Sequence, residues 1–142
     1  MSRTMKYLFY LSILVIAAYS FSCSKNDPTA ETQEFVIKVD SIQLPDSIAI
    51  NQQFDVKFFG TIGSNGCYSF ADFIASEDST SLSLMLKGHH EVSENQVCSQ
   101  VMVMLNGKVY SHKFPVAGQY RIRIINPGIG QFIEKEILVV AP

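Results

Sequence analysis

The sequence is poor in several features that mark common classes of protein. It contains no Trp and only three Cys, and the nine Lys and Arg after residue 22 are spread along the chain with a single close pair, Arg121 and Arg123. Since a phosphate-binding surface needs clustered positive charge, we expect no nucleic-acid partner. No apolar run after residue 22 approaches the roughly 18 residues of a membrane-spanning helix, which argues against a polytopic membrane protein.

Catalytic signatures are also missing. The chain has no Gly-x-Ser-x-Gly elbow, no phosphate-binding glycine loop and no dinucleotide-binding fingerprint. Asp72, Glu77 and Asp78 lie in or near a serine-rich turn, where an acid–base pair is the alternative to an ordinary polar loop. We interpret this region as a surface loop, and we expect neither enzymatic activity nor a cofactor.

One cluster of potential metal ligands is present, formed by His89, His90 and Glu91 with Glu94 close by. Two adjacent His residues lack the i, i+4 spacing that places two ligands on one helix face. The surrounding residues 88–96 are mostly polar, which indicates a solvated loop. We therefore predict no metal site.

The first 23 residues have the pattern of an export signal. Arg3 and Lys6 precede an apolar run over residues 7–18, and the small residues Ser20 and Ser22 lead into Cys23. This segment resembles a bacterial lipoprotein signal of the Bacteroidetes type, although Ser20 stands where Leu is usual. The resemblance implies cleavage after residue 22, acylation of Cys23, typically with palmitate, and a lipid-anchored location in the cell envelope, at the outer membrane.

The cysteine count is consistent with that anchor. If Cys23 carries lipid, Cys67 and Cys98 remain as an even pair in an oxidising compartment, where disulfides persist. A bridge between them would stabilise the fold by about 3.7 kcal/mol in the chain-entropy model. Two separate buried thiols are the alternative. A zinc site is disfavoured, because the two residues lack the closely spaced Cys pairs of structural zinc sites.

The mature chain is long enough for one domain. We predict a signal peptide over residues 1–22, a polar tether over 23–34 and one folded domain over 35–142. From Phe35 onward, short segments of alternating apolar and polar residues are separated by turn residues, which predicts about eight strands. Asn106-Gly107 stands between two apolar segments and predicts a hairpin with a type I′ turn.

This pattern is typical of an antiparallel β-sandwich. Residues 116–122, with a Gly-x-Tyr turn and strand, resemble the end of many bacterial immunoglobulin-like domains. The resemblance implies an all-β fold, an antiparallel immunoglobulin-like sandwich of about 7–8 strands. Unlike antibody domains, the chain has no Trp between its cysteines.

Function is predicted only by class. We expect a non-enzymatic binding or interaction domain, held at the membrane through its N-terminal lipid, with an envelope protein or glycan as partner. Residues 61–66 and 88–96 adjoin the two cysteines, so a bridge would present them together as the binding surface. The alternative is an exported protease inhibitor of immunoglobulin-like fold. Three Asp-Ser pairs, at residues 40–41, 46–47 and 78–79, resemble O-glycosylation motifs of the same bacterial group.

Overall fold

The computed structural model describes residues 31–93 and 95–141. The predicted signal, Cys23 and most of the predicted tether lie outside the described residues. The described residues form strands joined by turns and irregular segments: β1 (Glu31–Val36), β2 (Ser41–Gln43), β3 (Ser47–Ala49), β4 (Phe54–Phe59), β5 (Thr61–Gly63), β6 (Tyr68–Glu77), β7 (Ser81–Val92), β8 (Val103–Met104), β9 (Lys108–His112), β10 (Gly118–Ile125) and β11 (Phe132–Val140).

The larger sheet is organised around β7. Strand β6 pairs with one edge of β7, while β1 and β10 share the other edge, β1 along the C-terminal half of β7 and β10 along its N-terminal half. Beyond β10 follow β11 and β3. Most pairs are antiparallel, but β10 runs parallel to β7 and β3 runs parallel to β11.

The second layer is smaller. It consists of β2, β4 and β9, and it continues past Gly60 as the short β5–β8 pair. Phe58 of β4 contacts Phe73 of β6, with ring centroids 5.5 Å apart, and Phe73 in turn contacts Tyr110 of β9 at 5.3 Å. These aromatic contacts join the edges of the two layers. The predicted all-β sandwich is confirmed.

The core follows directly from the alternating pattern in the sequence. Successive side chains of a strand point to opposite faces, so apolar residues at every second position form one buried face. The buried faces of the main strands consist of Phe54, Val56 and Phe58 on β4, Leu82, Leu84 and Leu86 on β7, Tyr120, Ile122 and Ile124 on β10, and Ile137 and Val139 on β11.

A buried amide fixes the place where the chain passes from one layer to the other. After β1, the Ile37 N–H still donates to the Leu86 carbonyl of β7. At Val39 the Asn126 side chain takes over: its Oδ1 accepts from the Val39 N–H (2.8 Å) and its Nδ2 donates to the Val39 carbonyl (2.9 Å). Asn126 thus takes the place of a neighbouring strand, and both polar atoms of its buried side chain have a hydrogen-bond partner.

The hairpin predicted at Asn106-Gly107 is wrong, although the predicted turn is present. Asn106 and Gly107 both have positive φ (44° and 79°), as a type I′ turn requires. The flanking strands β8 and β9 do not pair with each other; they pair with β5 and β4, respectively. The turn is therefore a bulge between β8 and β9, which together pair along β5 and β4. The partner strands, and not the turn residues, decide this role.

Two predicted boundaries also differ from the structure. Residues 88–92, predicted as part of a polar loop, form the end of β7, where β1 and β6 pair on both sides. The first strand begins at Glu31 and not at Phe35, because Glu31 to Glu34 pair with the end of β7. Both differences have one cause, since backbone pairing orders these residues even though most of their side chains are polar.

Candidate binding surface

The predicted bridge between Cys67 and Cys98 is present. Their Cα atoms are 5.3 Å apart and the sulfurs are bonded. Cys67 is buried immediately before β6, and Cys98 lies in the irregular segment between β7 and β8. We call residues 95–102 of this segment the bridged loop.

Hydrogen bonds on both sides of the disulfide hold the bridged loop further. The Gly66 N–H donates to the Ser99 carbonyl at 2.9 Å, and the Glu91 N–H donates to the Cys67 carbonyl at 3.0 Å. Gln96 Nε2 also donates to Glu91 Oε2 at 3.1 Å. The loop is consequently attached both to the end of β7 and to the turn before β6.

The bridged loop and β8 expose an unusual set of apolar side chains. Val97 is 94% exposed, and the exposed fractions of Val101, Met102 and Met104 are 65%, 58% and 49%. We call these four residues the apolar strip. A groove of about 650 Å³ runs beside the last three, with Phe59 and Asn106 in its wall. Sequence reasoning missed this strip; its one signal is that residues 95–107 contain no charged residue.

Thr61 organises the methionines of the strip. Its Oγ1 lies 3.5 Å from the sulfur of Met104 and 3.9 Å from that of Met102. Methionine side chains are flexible and polarisable, and they recur at surfaces that adapt to their partners. The strip thus combines a fixed backbone with adaptable side chains.

The strip lies at the end of the sandwich where the described chain begins. Glu31, at the start of β1, pairs with Val92, the last residue of β7, and the bridged loop follows β7 directly. The predicted tether therefore joins the domain at the same end as the bridge. Of the two segments predicted as a joint binding surface, residues 61–66 and the later part of 88–96 are brought together here.

The predicted metal-ligand cluster does not form a solvated loop. His89 and His90 are neighbours on β7, so their side chains lie on opposite faces of the sheet. His90 stacks on Tyr68 with ring centroids 4.1 Å apart, and His89 Nε2 lies 3.7 Å from Glu34 Oε1. Among the described residues, which exclude Glu94, no three His, Cys, Asp or Glu side chains are grouped to hold a metal ion.

Glu34 connects β1 to β7 electrostatically. Lys87 Nζ donates to Glu34 Oε2 at 2.8 Å. This hydrogen bond and the positive charge of Lys87 lower the pKa of the Glu34 carboxyl, with a smaller contribution from His89. The pair lies on the solvent-exposed surface of the sheet and supports the pairing that holds β1 in place.

The three candidate carboxylates are engaged separately. Asp72 accepts from the backbone N–H of Phe73 (2.7 Å), and Glu77 Oε2 lies 3.4 Å from His112 Nε2. Asp78 accepts from the Ser81 hydroxyl at 2.6 Å and from the Thr80 N–H at 2.8 Å, and these bonds lower the pKa of its carboxyl. Asp78 thus shapes the β6–β7 turn, which sequence reasoning treated as a plain polar loop.

His112, at the end of β9, is largely buried. Its side chain packs among three aromatic rings, with the Phe114 centroid at 4.8 Å and those of Phe54 and Tyr110 near 6 Å. Its buried Nε2 has no hydrogen-bond partner among the described residues, the nearest acidic group being Glu77.

A second depression lies at the opposite end, near the start of β4. This polar cleft has a volume of about 390 Å³ and is lined by Gln43, Gln52, Gln53, Asp55 and Lys57 over Leu44 and Pro45. Several of its polar groups already serve the fold: Gln52 Oε1 accepts from the Ala49 N–H, and Asp55 Oδ1 accepts from the Ser111 hydroxyl. The side chains of the apolar strip stay largely exposed, which makes the strip the stronger candidate site.

Comparison of the chain with protein-family models, characterised proteins and solved structures finds no match. Within residues 31–93 and 95–141 there is no helix of the length and hydropathy needed to span a bilayer. The serines of the three Asp-Ser pairs, Ser41, Ser47 and Ser79, are all exposed. Their glycosylation stays a prediction.

Proposed function

We propose that the chain is a lipid-anchored protein of the cell envelope, at the outer membrane, whose β-domain acts by binding and not by catalysis. One observation carries the binding role: four apolar side chains are held in solvent on a disulfide-fixed loop and on the strand β8 that follows it. Three of these side chains line one groove, and contiguous exposed apolar surface marks interaction sites because its burial is favourable.

The bridge supports a binding role because it limits the freedom of the loop before any contact is made. A loop that is ordered in advance loses less conformational entropy on binding. The disulfide and the Gly66–Ser99 hydrogen bond hold the strip close to its final position. The proposed anchor rests on Arg3, Lys6 and the apolar run that precedes Cys23.

Site-specific photo-crosslinking in cells tests the binding role. Val101 is replaced by p-benzoylphenylalanine in the full chain, and Val116, which is 61% exposed at the opposite end, is replaced in a matched control. Irradiation should attach an envelope component, protein or lipid, at position 101 and not at position 116. Equal labelling at the two positions, or none at either, would contradict a binding role for the strip.

Protease inhibition is the second candidate, and one observation favours it. Val97 is almost fully exposed and directly precedes Cys98, so a rigid, bridged segment presents a single apolar side chain. Titration of the folded domain against elastase-like proteases, which accept small apolar residues, tests this candidate. A stoichiometric loss of protease activity that Val97→Asp abolishes would favour inhibition; steady cleavage after Val97 would exclude it.

A further inference from the structure

We propose that the apolar strip docks onto the lipid bilayer to which the chain is anchored. The inference rests on the proposed lipidation of Cys23 and names the partner of the same surface. We call the end of the sandwich that carries Glu31 and the Cys67–Cys98 disulfide the bridged end. The bilayer contact would fix the orientation of the domain, with the bridged end towards the membrane and the polar cleft away from it.

The length of the connecting segment supports this partner. Eight peptide units separate Cys23 from Glu31, and a fully extended chain of that length spans at most about 28 Å. Strand β7, with 12 residues, extends for about 40 Å. Since Glu31 lies at the bridged end, that end is held near the bilayer whatever path the segment takes.

The anchor also makes a weak contact effective. Once the lipid is inserted, docking of the strip is an intramolecular event, and the loss of translational freedom has already occurred. Four partly exposed aliphatic and thioether side chains are a modest apolar surface for a free protein. For a tethered domain, the same surface meets the bilayer at a high effective concentration.

The composition of the site favours a bilayer over a protein partner. Residues 95–107 contain no charged residue, so docking brings no formal charge of this segment towards the acyl chains. The strip also contains no Tyr, Trp or Arg, the residues in which the hot spots of protein interfaces are enriched. Asn95, Gln96, Ser99 and Gln100 supply polar groups that suit the headgroup level.

The depth of docking is limited by the backbone. An irregular loop carries backbone groups that must stay hydrated or paired, and only some of those in the bridged loop are paired within the domain. The side chains of the strip would therefore enter the boundary between headgroups and acyl chains, as interfacial elements do.

The absence of Trp from the chain makes a direct test available. A Trp introduced as Val97→Trp is the sole indole of the protein, and Val116→Trp supplies a matched control at the opposite end. Each mature, lipidated chain is reconstituted into phosphatidylcholine–phosphatidylethanolamine vesicles with and without brominated acyl chains. Thermal melting and thiol alkylation establish that each variant is folded and bridged.

Docking predicts a blue-shifted emission and several-fold stronger bromine quenching for Trp at position 97 than at position 116. Adding Val101→Asp to the Val97→Trp chain should remove most of that quenching. Vesicle-bound chains with equal quenching at the two positions would overturn docking but would not contradict the anchor or the binding role. In that case, a protein crosslinked to position 101 in the photo-crosslinking experiment would identify the partner. A mature chain without acyl mass would overturn the anchor and the docking proposal together.

Discussion

The two ends of the sandwich differ in what they expose and in how they are held. At the bridged end, a disulfide fixes a loop whose apolar side chains remain in solvent. At the opposite end, hydrogen bonds of Asp78 shape the β6–β7 turn, and Gln52, in the wall of the polar cleft, holds the turn before β4. Strand β4 runs from one to the other: Phe54 and Asp55 line the cleft, and Phe59 lines the apolar groove.

This difference has a physical reason. A polar turn is compatible with water, so local hydrogen bonds suffice to hold it. A loop that carries Val97, Val101 and Met102 lowers its free energy by collapsing onto itself or onto the sheet, because collapse removes apolar surface from water. A covalent bond that ties the loop to β6 opposes this collapse. The bridge thus appears where apolar residues must stay exposed.

The largest expected effect is the loss of membrane attachment when the proposed lipid anchor is removed. Cys23→Ala should leave the chain unprocessed or release it from the envelope, because the proposed acyl chains together hold it far more firmly than one chain could. Fractionation with intact mass measurement checks this, with Ser24→Ala as the matched control. Recovery of a wild-type mature chain that begins at another residue and carries no lipid would contradict the anchor.

Removing the disulfide should weaken the whole fold, and the bridged end first. Cys67→Ser and Cys98→Ser are each expected to lower the free energy of unfolding by about 2–5 kcal/mol. The double variant should cost little more than either single one, since both substitutions remove the same bond. Chemical denaturation measures the effect, and strictly additive losses would argue against a shared bond.

Loss of the Asn126 amide should loosen the segment between β1 and β2, where the chain passes from one layer to the other. Asn126→Ala leaves the buried N–H and carbonyl of Val39 without partners, which should lower stability by roughly 2–4 kcal/mol. Gln119→Ala, on the exposed face of strand β10, which ends directly before Asn126, is the control and should change stability by less than about 0.5 kcal/mol. Hydrogen exchange at Val39 reports the local effect, and unchanged protection there would contradict the assigned role.

The smallest expected effect compares carboxylates at the two ends. The pKa values of Glu34 and Asp78 are both lowered in the folded chain, so each stabilises the fold above its unfolded pKa and loses that contribution as the pH falls through its folded pKa. The melting temperature is measured as the pH is lowered. Below about pH 4.5 it should fall slightly less in the Asp78→Asn and Glu34→Gln variants than in the wild-type chain. The effect at Glu34 should shrink in high salt because Lys87 supplies much of it; equal salt sensitivity at both sites would show that the two causes are not distinct.

Much of the fold was predictable because it depends on local pattern. Leu82, Leu84 and Leu86 alternate with less hydrophobic or smaller residues, and this period of two is sufficient to predict a strand with one buried face. The same period continues to Gly88, which is buried where Phe35 packs so closely that a Cβ would lie 2.5 Å from its ring. The continuation of β7 was not predicted, because Gly88, His89 and His90 are not typical strand residues. They are ordered by pairing with β1 and β6 on both sides.

The site was predictable only in part. Parity and compartment pointed to the bridge between Cys67 and Cys98, and their flanking segments pointed to one surface. The exposure of Val97 and Met102 was not predictable from the sequence. Apolar residues are usually expected to be buried, and only the tertiary structure shows which of them remain on the surface.

The sequence by itself determined the strand pattern and the positive-φ turn at Asn106-Gly107, since each depends on residue type and short-range order, and its cysteine count pointed to a bridge between the two later cysteines. Only the tertiary structure decided that this turn is a bulge, that Asn126 serves in place of a strand, and that the bridged loop shares an end with Glu31. Those outcomes depend on which distant segments pair, and pairing is set by the free energy of the whole packed sandwich.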